Sequence, residues 1–480
     1  MNSVAQQTWT RAPARTAPGE WGMRAMLTAL IMLLAAGDIF DLQVSLGPGL
    51  SSKNFFLYLL AVALLFKYAV RGGFVLELRA VLACFAILIG YATLTTFAAA
   101  LVIDYPRYSL IKSGMTLKSR LVDQAVFFVV FFYALHESRN ALSMLRVVVL
   151  AAALANVVGV LNAFGVVQIG ELDERMGGRM HGAIGEPNQY GAFIILFLPI
   201  LIVAALTWRG KLRPLWIVGL LISAAALLMT ASRGAFLALA LAGLCSAFMY
   251  RRLVSWGAIV RMGALACVLI GAALIALSAR YGELLYRRVI RDSVSGDLVS
   301  ASSGRTEVWM TAIERMMQAP VTLLSGFGWD VYWIMPFRFA PHNHYLGLWF
   351  NLGMIGLICG VALLALAIVT AHRAAAQAEP TERRVLISFA IGALALAIAA
   401  FFVDLYTPWI WFWAYAGLVL RIAVNNAKQV KWVDAAADAR AARGAANESR
   451  RDPFGWRGSV QRGPRRARPR RGGAAHGRPA

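Results

Sequence analysis

Long apolar stretches, separated by short polar connections, constrain this chain more than any other feature of its sequence. A helix of about 17 to 25 apolar residues is long enough to cross the hydrocarbon core of a bilayer, where backbone hydrogen bonds must be satisfied within helices or closed barrels. Apolar residues make up 59% of the 480 residues and charged residues only 15%, which excludes an ordinary soluble domain. The pattern therefore predicts an all-α, multi-pass membrane protein.

About twelve such stretches divide the chain. They fall near residues 24–40, 54–70, 79–102, 121–137, 143–167, 189–208, 214–231, 234–250, 262–279, 343–371, 385–403 and 408–424. We therefore expect a polar leader at 1–23, nine spans within 24–279, a long polar loop at 280–342, three spans within 343–424 and a tail at 425–480. No small-residue cleavage site follows the first stretch, so we expect it to be retained as a span.

Short loops rich in Lys and Arg predict which side of the membrane each loop occupies, because such loops stay in the cytoplasm. These loops alternate along the chain and carry Arg71 with Arg79, Arg209 with Lys211 and Arg213, Arg251 with Arg252, and Arg383 with Arg384. Both termini are then cytoplasmic, and the long loop faces outward. Residues 426–480 hold 14 Lys and Arg against four acidic residues, a net charge of +10. We expect this tail to be disordered and to lie near anionic headgroups, with nucleic-acid binding as the less favoured alternative.

The outward loops also carry many cations, which opposes the insertion bias. They include Arg107, Lys112, Lys118, Arg120, Arg175, Arg179, Arg233, Arg280, Arg287, Arg288, Arg291 and Arg305. Any one of them is explained by a side chain that snorkels to the headgroups. Their accumulation instead favours a site for a polyanion such as a lipid-borne diphosphate, with Arg107, Lys112, Arg175, Arg179 and Arg288 as binding candidates.

Arg233 and Arg305 are the most specific of these candidates. Arg233 stands in MTASRGAFLA, where one apolar run follows another with almost no connecting loop, so its charge is held at or just under the interface. Helical spacing of apolar residues predicts an amphipathic helix from about Arg305 to Gln318, ended by Ala319-Pro320. Arg305 then lies at a helix start, where free N–H groups and the guanidinium together suit a phosphate.

A histidine-containing motif closes the long loop. PHNHYLGLWFNLGMIG begins at Pro341 and contains His342, Asn343, His344 and Tyr345. Histidine titrates near neutral pH and is therefore a candidate base, although a hydrogen-bonded structural histidine remains the alternative. His342 and His344 are two residues apart, so a helix would point them in different directions, and we expect neither a metal nor another cofactor.

These motifs, taken in order, resemble the bacterial O-antigen ligase family and its polymerase relatives. The residues that match are Arg233 in SRG, Arg305 in SGRTEVW, Gly326 to Trp329 in GFGW, and His342 with Asn343 and Tyr345 in HNHYLGLWFNLGMIG. The resemblance implies the helical fold of lipid-sugar (GT-C-like) glycosyltransferases. It also implies metal-independent, inverting transfer of an undecaprenyl-diphosphate-linked polysaccharide to lipid A-core, with His342, Arg233 and Arg305 catalytic. His344 leaves open which histidine is the base.

Other functions remain open from the sequence. An O-antigen polymerase or a protein O-oligosaccharyltransferase would share the motifs. An exporter or flippase of lipid-linked sugars would also need outward cations, together with ionisable residues inside its spans, for which Asp123 and Asp404 are the main candidates. All four cysteines lie in apolar runs, so we expect neither a disulfide nor a zinc site.

Overall fold

The structure is a computed structural model of the chain. It describes residues 18–42, 44–47, 49–70, 76–168, 179–180, 184, 186–251, 256–291, 302, 304–337 and 340–451. Every side chain discussed below belongs to the compact unit Met1–Ala427.

Helices dominate the first half of the described chain. They are α1 Pro18–Phe40, α2 Ser52–Val70, α3 Arg79–Phe97, α4 Leu110–Leu117, α5 Asp123–Tyr133, α6 Ser138–Ala163, α7 Pro187–Thr207, α8 Arg213–Thr230 and α9 Arg233–Met249. Short π-helices at Ala98–Val102 and Lys118–Val122 extend α3 and join α4 to α5. One small antiparallel ribbon, β1 Ser45–Gly47 with β2 Leu50–Ser51, precedes α2.

The second half continues in the same way. Its helices are α10 Trp256–Leu285, α11 Arg305–Gln318, α12 Val321–Ser325, α13 His344–Ala375, α14 Pro380–Ala399 and α15 Thr407–Arg451. A π-helix at Tyr286–Arg291 continues α10, and a 3-10 turn covers Val331–Ile334. The amphipathic helix Arg305–Gln318 has the predicted bounds and ends at Ala319, before Pro320.

Eight of the described helices are long and apolar enough to cross a membrane, with α9 as a shorter apolar helix. The prediction of an all-α, multi-pass membrane protein is confirmed at this level. The count of about twelve spans remains a prediction, as does the GT-C-like fold.

Three parts of the chain differ from the prediction. Lys112, Lys118 and Arg120 lie on the helical run from α4 to α5 rather than in a loop, because Ser109 caps α4 and Lys118 pairs with Asp123. The α10 helix and its π-helical extension continue to Arg291, so the arginines from 280 to 291 are helical rather than part of the long loop. The last helix continues to Arg451, whereas the disordered tail was predicted from residue 425; residues 452–480 lie outside the described part.

The α13 helix contains a sharp kink that explains the glycine motifs. Gly353 has φ +61°, and a Cβ atom there would overlap the carbonyl group of Leu324. The GFGW backbone lies directly against the kink, since the N–H groups of Phe327 and Gly328 donate to the carbonyl oxygens of Phe350 and Asn351 at 2.9 Å. These glycines therefore allow two backbone segments to approach each other, a close packing that a side chain would prevent.

The α7 helix lies centrally and packs against α8 and α14, while α13 packs against α14 and α3. The α7 helix is apolar on all sides and its residues are largely buried, as expected for a helix inside a bundle. This packing holds the start of α7 beside the starts of other helices, where the polar candidate residues lie.

Candidate active site

Four helix starts carry the charged residues of the site. Glu186 immediately precedes α7, Arg233 is the first residue of α9, Arg305 is the first residue of α11, and His342 lies two residues before α13. Helix N-termini carry partial positive charge and unpaired N–H groups. Their convergence adds positive potential to that of the arginine side chains.

Electrostatic interactions join four arginines into one group, which we call the arginine cluster: Arg179, Arg233, Arg288 and Arg305. Burial, followed by repulsion from Arg288, lowers the pKa of Arg179 to about 10. Burial likewise lowers the pKa of Arg305, and Arg233 and Arg288 act in the same direction. Cations that are partly buried together disfavour one another, and an anionic ligand would relieve this repulsion.

Arg179 is held by two hydrogen bonds. Its Nε donates to the carbonyl oxygen of Thr230 and one terminal nitrogen donates to Oδ1 of Asn188, each at 2.9 Å. Ser232 donates from Oγ to the same Asn188 oxygen at 3.1 Å. Asn188 thereby ties the start of α7 to the tight turn between α8 and α9, and this turn places Arg233.

His342 lies beside the arginine cluster, paired with a carboxylate. Its Nδ1 is 3.5 Å from Oε1 of Glu186. Burial raises the pKa of Glu186, but His342, Arg305 and Arg179 together outweigh burial and lower it below the ordinary value. Glu186 is therefore ionised at neutral pH. It is placed to accept a hydrogen bond from a protonated Nδ1 of His342, which leaves Nε2 as the basic nitrogen.

The backbone around His342 is fixed from three directions. Trp309 of α11 donates from Nε1 to the carbonyl oxygen of Pro341 at 2.6 Å. The N–H of His342 donates to Oδ2 of Asp404 at 3.1 Å, and the N–H of His344 donates to the carbonyl oxygen of Ala400 at 2.8 Å. His342 itself has φ +46°, an unusual conformation for a side chain that is not glycine. Such a conformation persists only where the surroundings hold it, and it recurs at functional sites.

Asp404 stands behind His342 and is 5% exposed. Burial raises its pKa to about 6, although His342 draws it in the opposite direction. Glu186 and Arg120 also act on this carboxyl group. The site thus contains two carboxylates around one imidazole, with opposite shifts of their pKa values.

Asn343, His344 and Tyr345 do not point their polar groups together toward the cluster. Asn343 caps α13, since its Oδ1 accepts the N–H of Leu346 at 3.0 Å. Tyr345 donates its hydroxyl to the carbonyl oxygen of Ala397 at 2.7 Å. The ring of His344 packs beside Trp409, with 5.2 Å between ring centroids. Of the two histidines, His342 is the one paired with a carboxylate beside the arginines.

The remaining binding candidates have separate positions. Arg107 is exposed in the turn before α4, and Lys112 is exposed on α4, where it acts on Asp330. Neither is among the charges that shift the pKa values of Arg179, Glu186 or Arg305. Arg175 lies outside the described residues.

Sequence reasoning missed the roles of Glu186 and Asp404. Glu186 precedes Pro187 in GEPNQY, a pattern that indicates a helix start and does not by itself assign a role to the carboxylate. Asp404 was considered only as an ion-coupling residue of an exporter. Each is a single carboxylate between two apolar runs, and this isolation is the sequence signal that could have indicated a functional residue. No nearby residue in the sequence indicates that either carboxylate lies beside His342.

Comparisons with known proteins agree with the motifs. Residues 217–361 match the family model described as O-antigen ligase. The chain is similar to an O-antigen ligase of Pseudomonas aeruginosa, with 30% identity over 199 residues, which is 40% of this chain and 42% of that protein. The aligned region thus spans less than half of that relative. Residues 217–361 include Arg233, Arg305 and His342.

Proposed function

We propose that this chain is a glycosyltransferase of the O-antigen ligase type that completes lipopolysaccharide, and the match of residues 217–361 to the O-antigen ligase family model supports the proposal. Its donor is a polysaccharide on undecaprenyl diphosphate, and its acceptor is a sugar of lipid A-core. The reaction takes place at the periplasmic face of the bacterial inner membrane, and membrane lipids are its surroundings.

The observation that carries this proposal is the pair of His342 and Glu186, 3.5 Å apart, beside the arginine cluster. A base and a group of cations are the two requirements for transfer from a glycosyl diphosphate. The base removes the proton of the incoming hydroxyl, and the cations stabilise the negative charge that develops on the departing diphosphate.

The proposed reaction is a single displacement in which one bond forms, one bond breaks and one proton moves. Glu186 accepts the Nδ1–H of His342, so that the lone pair on Nε2 faces the acceptor. The acceptor oxygen forms a bond to the anomeric carbon as its proton moves to Nε2, and the bond from that carbon to the diphosphate oxygen breaks. Undecaprenyl diphosphate leaves with the bonding electron pair. A single displacement of this kind inverts the anomeric carbon.

Arg233 and Arg305 are proposed to hold the diphosphate, with Arg179 and Arg288 beside them. A guanidinium offers forked N–H donors that match phosphate oxygens, and it remains charged throughout the reaction. Partial burial strengthens these interactions relative to water. The arginines thus supply the positive charge for which other glycosyltransferases use a divalent cation.

Asp404 completes the proposed machinery as a positioning residue. Its hydrogen bond to the backbone N–H of His342 keeps the imidazole in place. When the imidazole receives the acceptor proton, the carboxylates of Glu186 and Asp404 both stabilise the cation that forms.

A deletion strain tests the function. We expect its lipopolysaccharide to lack the long polysaccharide while the polymer accumulates on the lipid carrier. Glycans limited to a single repeat would instead identify a polymerase. In the purified system, transfer should persist with a metal chelator present, and loss of wild-type transfer under chelation would contradict the metal-independent mechanism.

A further inference from the structure

A cavity lies beside the proposed base, and it is lined by residues other than the arginine cluster. Its walls include Arg120, Gln124, Tyr332, His344, Asp404 and Trp409. Pro341 also lines it, directly before His342. Because Asp404 accepts the backbone N–H of His342 at 3.1 Å, the cavity and the base share one carboxylate.

Gln124 marks the cavity as a place for a polar ligand. It is only 2% exposed, and its Oε1 has no hydrogen-bond partner among the described residues. Buried polar atoms are normally paired, because leaving one without a partner costs free energy. A ligand that donates a hydrogen bond inside the cavity would satisfy this oxygen.

The aromatic walls indicate the class of ligand. Trp329, Trp333 and Trp409 line the cavity, and Trp333, 46% exposed, is the most accessible of the three. Aromatic faces pack against the apolar C–H faces of sugar rings, while amide, imidazole and carboxylate groups bond the hydroxyls around the ring edge.

The position of the cavity relative to the arginine cluster bears on its role. None of Arg179, Arg233, Arg288 and Arg305 lines it, whereas Arg120 does. Asp404 interacts with Glu186 and His342 as well as with Arg120, so it lies where the two regions meet. In a single displacement the attacking hydroxyl and the leaving diphosphate must occupy different sides of the reacting carbon. A second binding region beside the base meets that requirement.

We propose that this cavity binds a pyranose ring of the acceptor glycan, with Gln124 accepting a hydrogen bond from a ring hydroxyl. This inference rests on the proposed function for the identity of the acceptor. A ring of the donor polysaccharide has the same chemistry, and the experiment below separates the two sources.

The test measures binding without transfer. The probe is core oligosaccharide released from lipopolysaccharide, and its binding to the full chain in lipid nanodiscs is followed by tryptophan fluorescence. We expect Gln124→Leu to raise Kd about 3- to 10-fold, the effect of one lost neutral hydrogen bond. Gln377→Leu, the same change at an exposed position between α13 and α14, should leave Kd unaltered.

Steady-state transfer provides the second readout. Gln124→Leu should raise the KM for lipid A-core by a similar factor and leave the KM for the donor unchanged; a rise in the donor KM alone would overturn the acceptor assignment. If Gln124→Leu does not fold, Trp333→Ala is the second variant, because Trp333 is 46% exposed. It is also expected to raise the Kd for the oligosaccharide and the KM for lipid A-core. Unchanged oligosaccharide binding in the folded variants would overturn the inference. If wild-type protein transfers nothing to lipid A-core, the proposed function fails, yet Gln124-dependent binding would still support a glycan cavity.

Discussion

Nδ1 of His342 lies 3.5 Å from Oε1 of Glu186, although 156 positions separate the two residues in the chain. The pair joins the start of α7 to the loop before α13. Asp404 accepts the backbone N–H of the same histidine, and Glu186 interacts with Arg305 and Arg179 of the arginine cluster as well as with His342.

The imidazole is expected to act as the base. His342→Ala should lower the rate of transfer by about 10²- to 10⁴-fold at saturating donor, because general-base catalysis supplies an acceleration of that order. Donor binding should remain nearly unchanged, since the diphosphate is proposed to bind to the arginines. His344→Ala, with its ring packed on Trp409, should have a milder effect.

The measurement compares transfer by purified, folded variants with donor binding in a separate assay. Glu186→Gln should lose less activity than His342→Ala, because it keeps the imidazole but removes the charge that orients it. An active His342→Ala protein together with an inactive His344→Ala protein would reassign the base.

The arginines are expected to act through geometry as well as charge. Arg305→Lys and Arg233→Lys should impair transfer nearly as severely as the corresponding Arg→Ala variants, because an ammonium group retains the charge but not the planar fork. Arg315→Lys is a matched control, since Arg315 is exposed on the same helix as Arg305. Kinetics of all variants at varied donor concentration test this, and full activity in the lysine variants would contradict forked diphosphate binding.

We expect the free energy of unfolding to depend on pH because of Asp404. Its pKa in the folded protein is raised to about 6, above the ordinary carboxyl value, mainly by burial. The folded state therefore favours the protonated form. This contribution is fully present below the unfolded pKa and is lost as pH rises through about 6.

Thermal unfolding of the wild type and Asp404→Asn between pH 4 and pH 8 measures this effect. An amide does not titrate, so the Tm of the wild type should fall relative to that of Asp404→Asn as pH increases. A constant difference over the whole range would show that Asp404 does not titrate there.

The kink in α13 should be intolerant of any side chain. Gly353→Ala places a Cβ against the carbonyl of Leu324 and forces alanine to adopt φ +61°. The backbone strain alone costs about 1–3 kcal/mol, and displacement of GFGW adds to it. Gly243→Ala is the control, because nothing lies within 4 Å of its added Cβ. Detergent-solubilised yield and Tm should fall for Gly353→Ala only, and equal values for both variants would refute the tight packing.

The orientation in the membrane has its own test. A reporter fused after Arg213 should lie in the cytoplasm, and one inserted near Ser300 should lie in the periplasm, because cationic short loops remain on the inner side. Cysteine accessibility in intact cells offers an independent measurement. The opposite result at either position would remove the basis for a periplasmic site.

The sequence by itself determined the local features of this protein. Apolar runs predicted where most of the long helices lie, and the spacing of apolar residues after Arg305 predicted α11 with the bounds observed. The residue types in SRG, SGRTEVW and PHNHY also indicated the candidate chemistry. These features could be predicted because hydropathy and helical periodicity act between residues that are close in the chain.

Only the tertiary structure decided which of these residues share a site. Glu186, His342 and Asp404 come from three different helix ends, and Gln124 lines a cavity with residues more than 200 positions away. Arg107 and Lys112 carry the same charge as Arg179, yet neither is among the charges that shift the pKa of Arg179. Charge and burial depend on distances in space that are set by helix packing, and a local sequence pattern does not contain those distances.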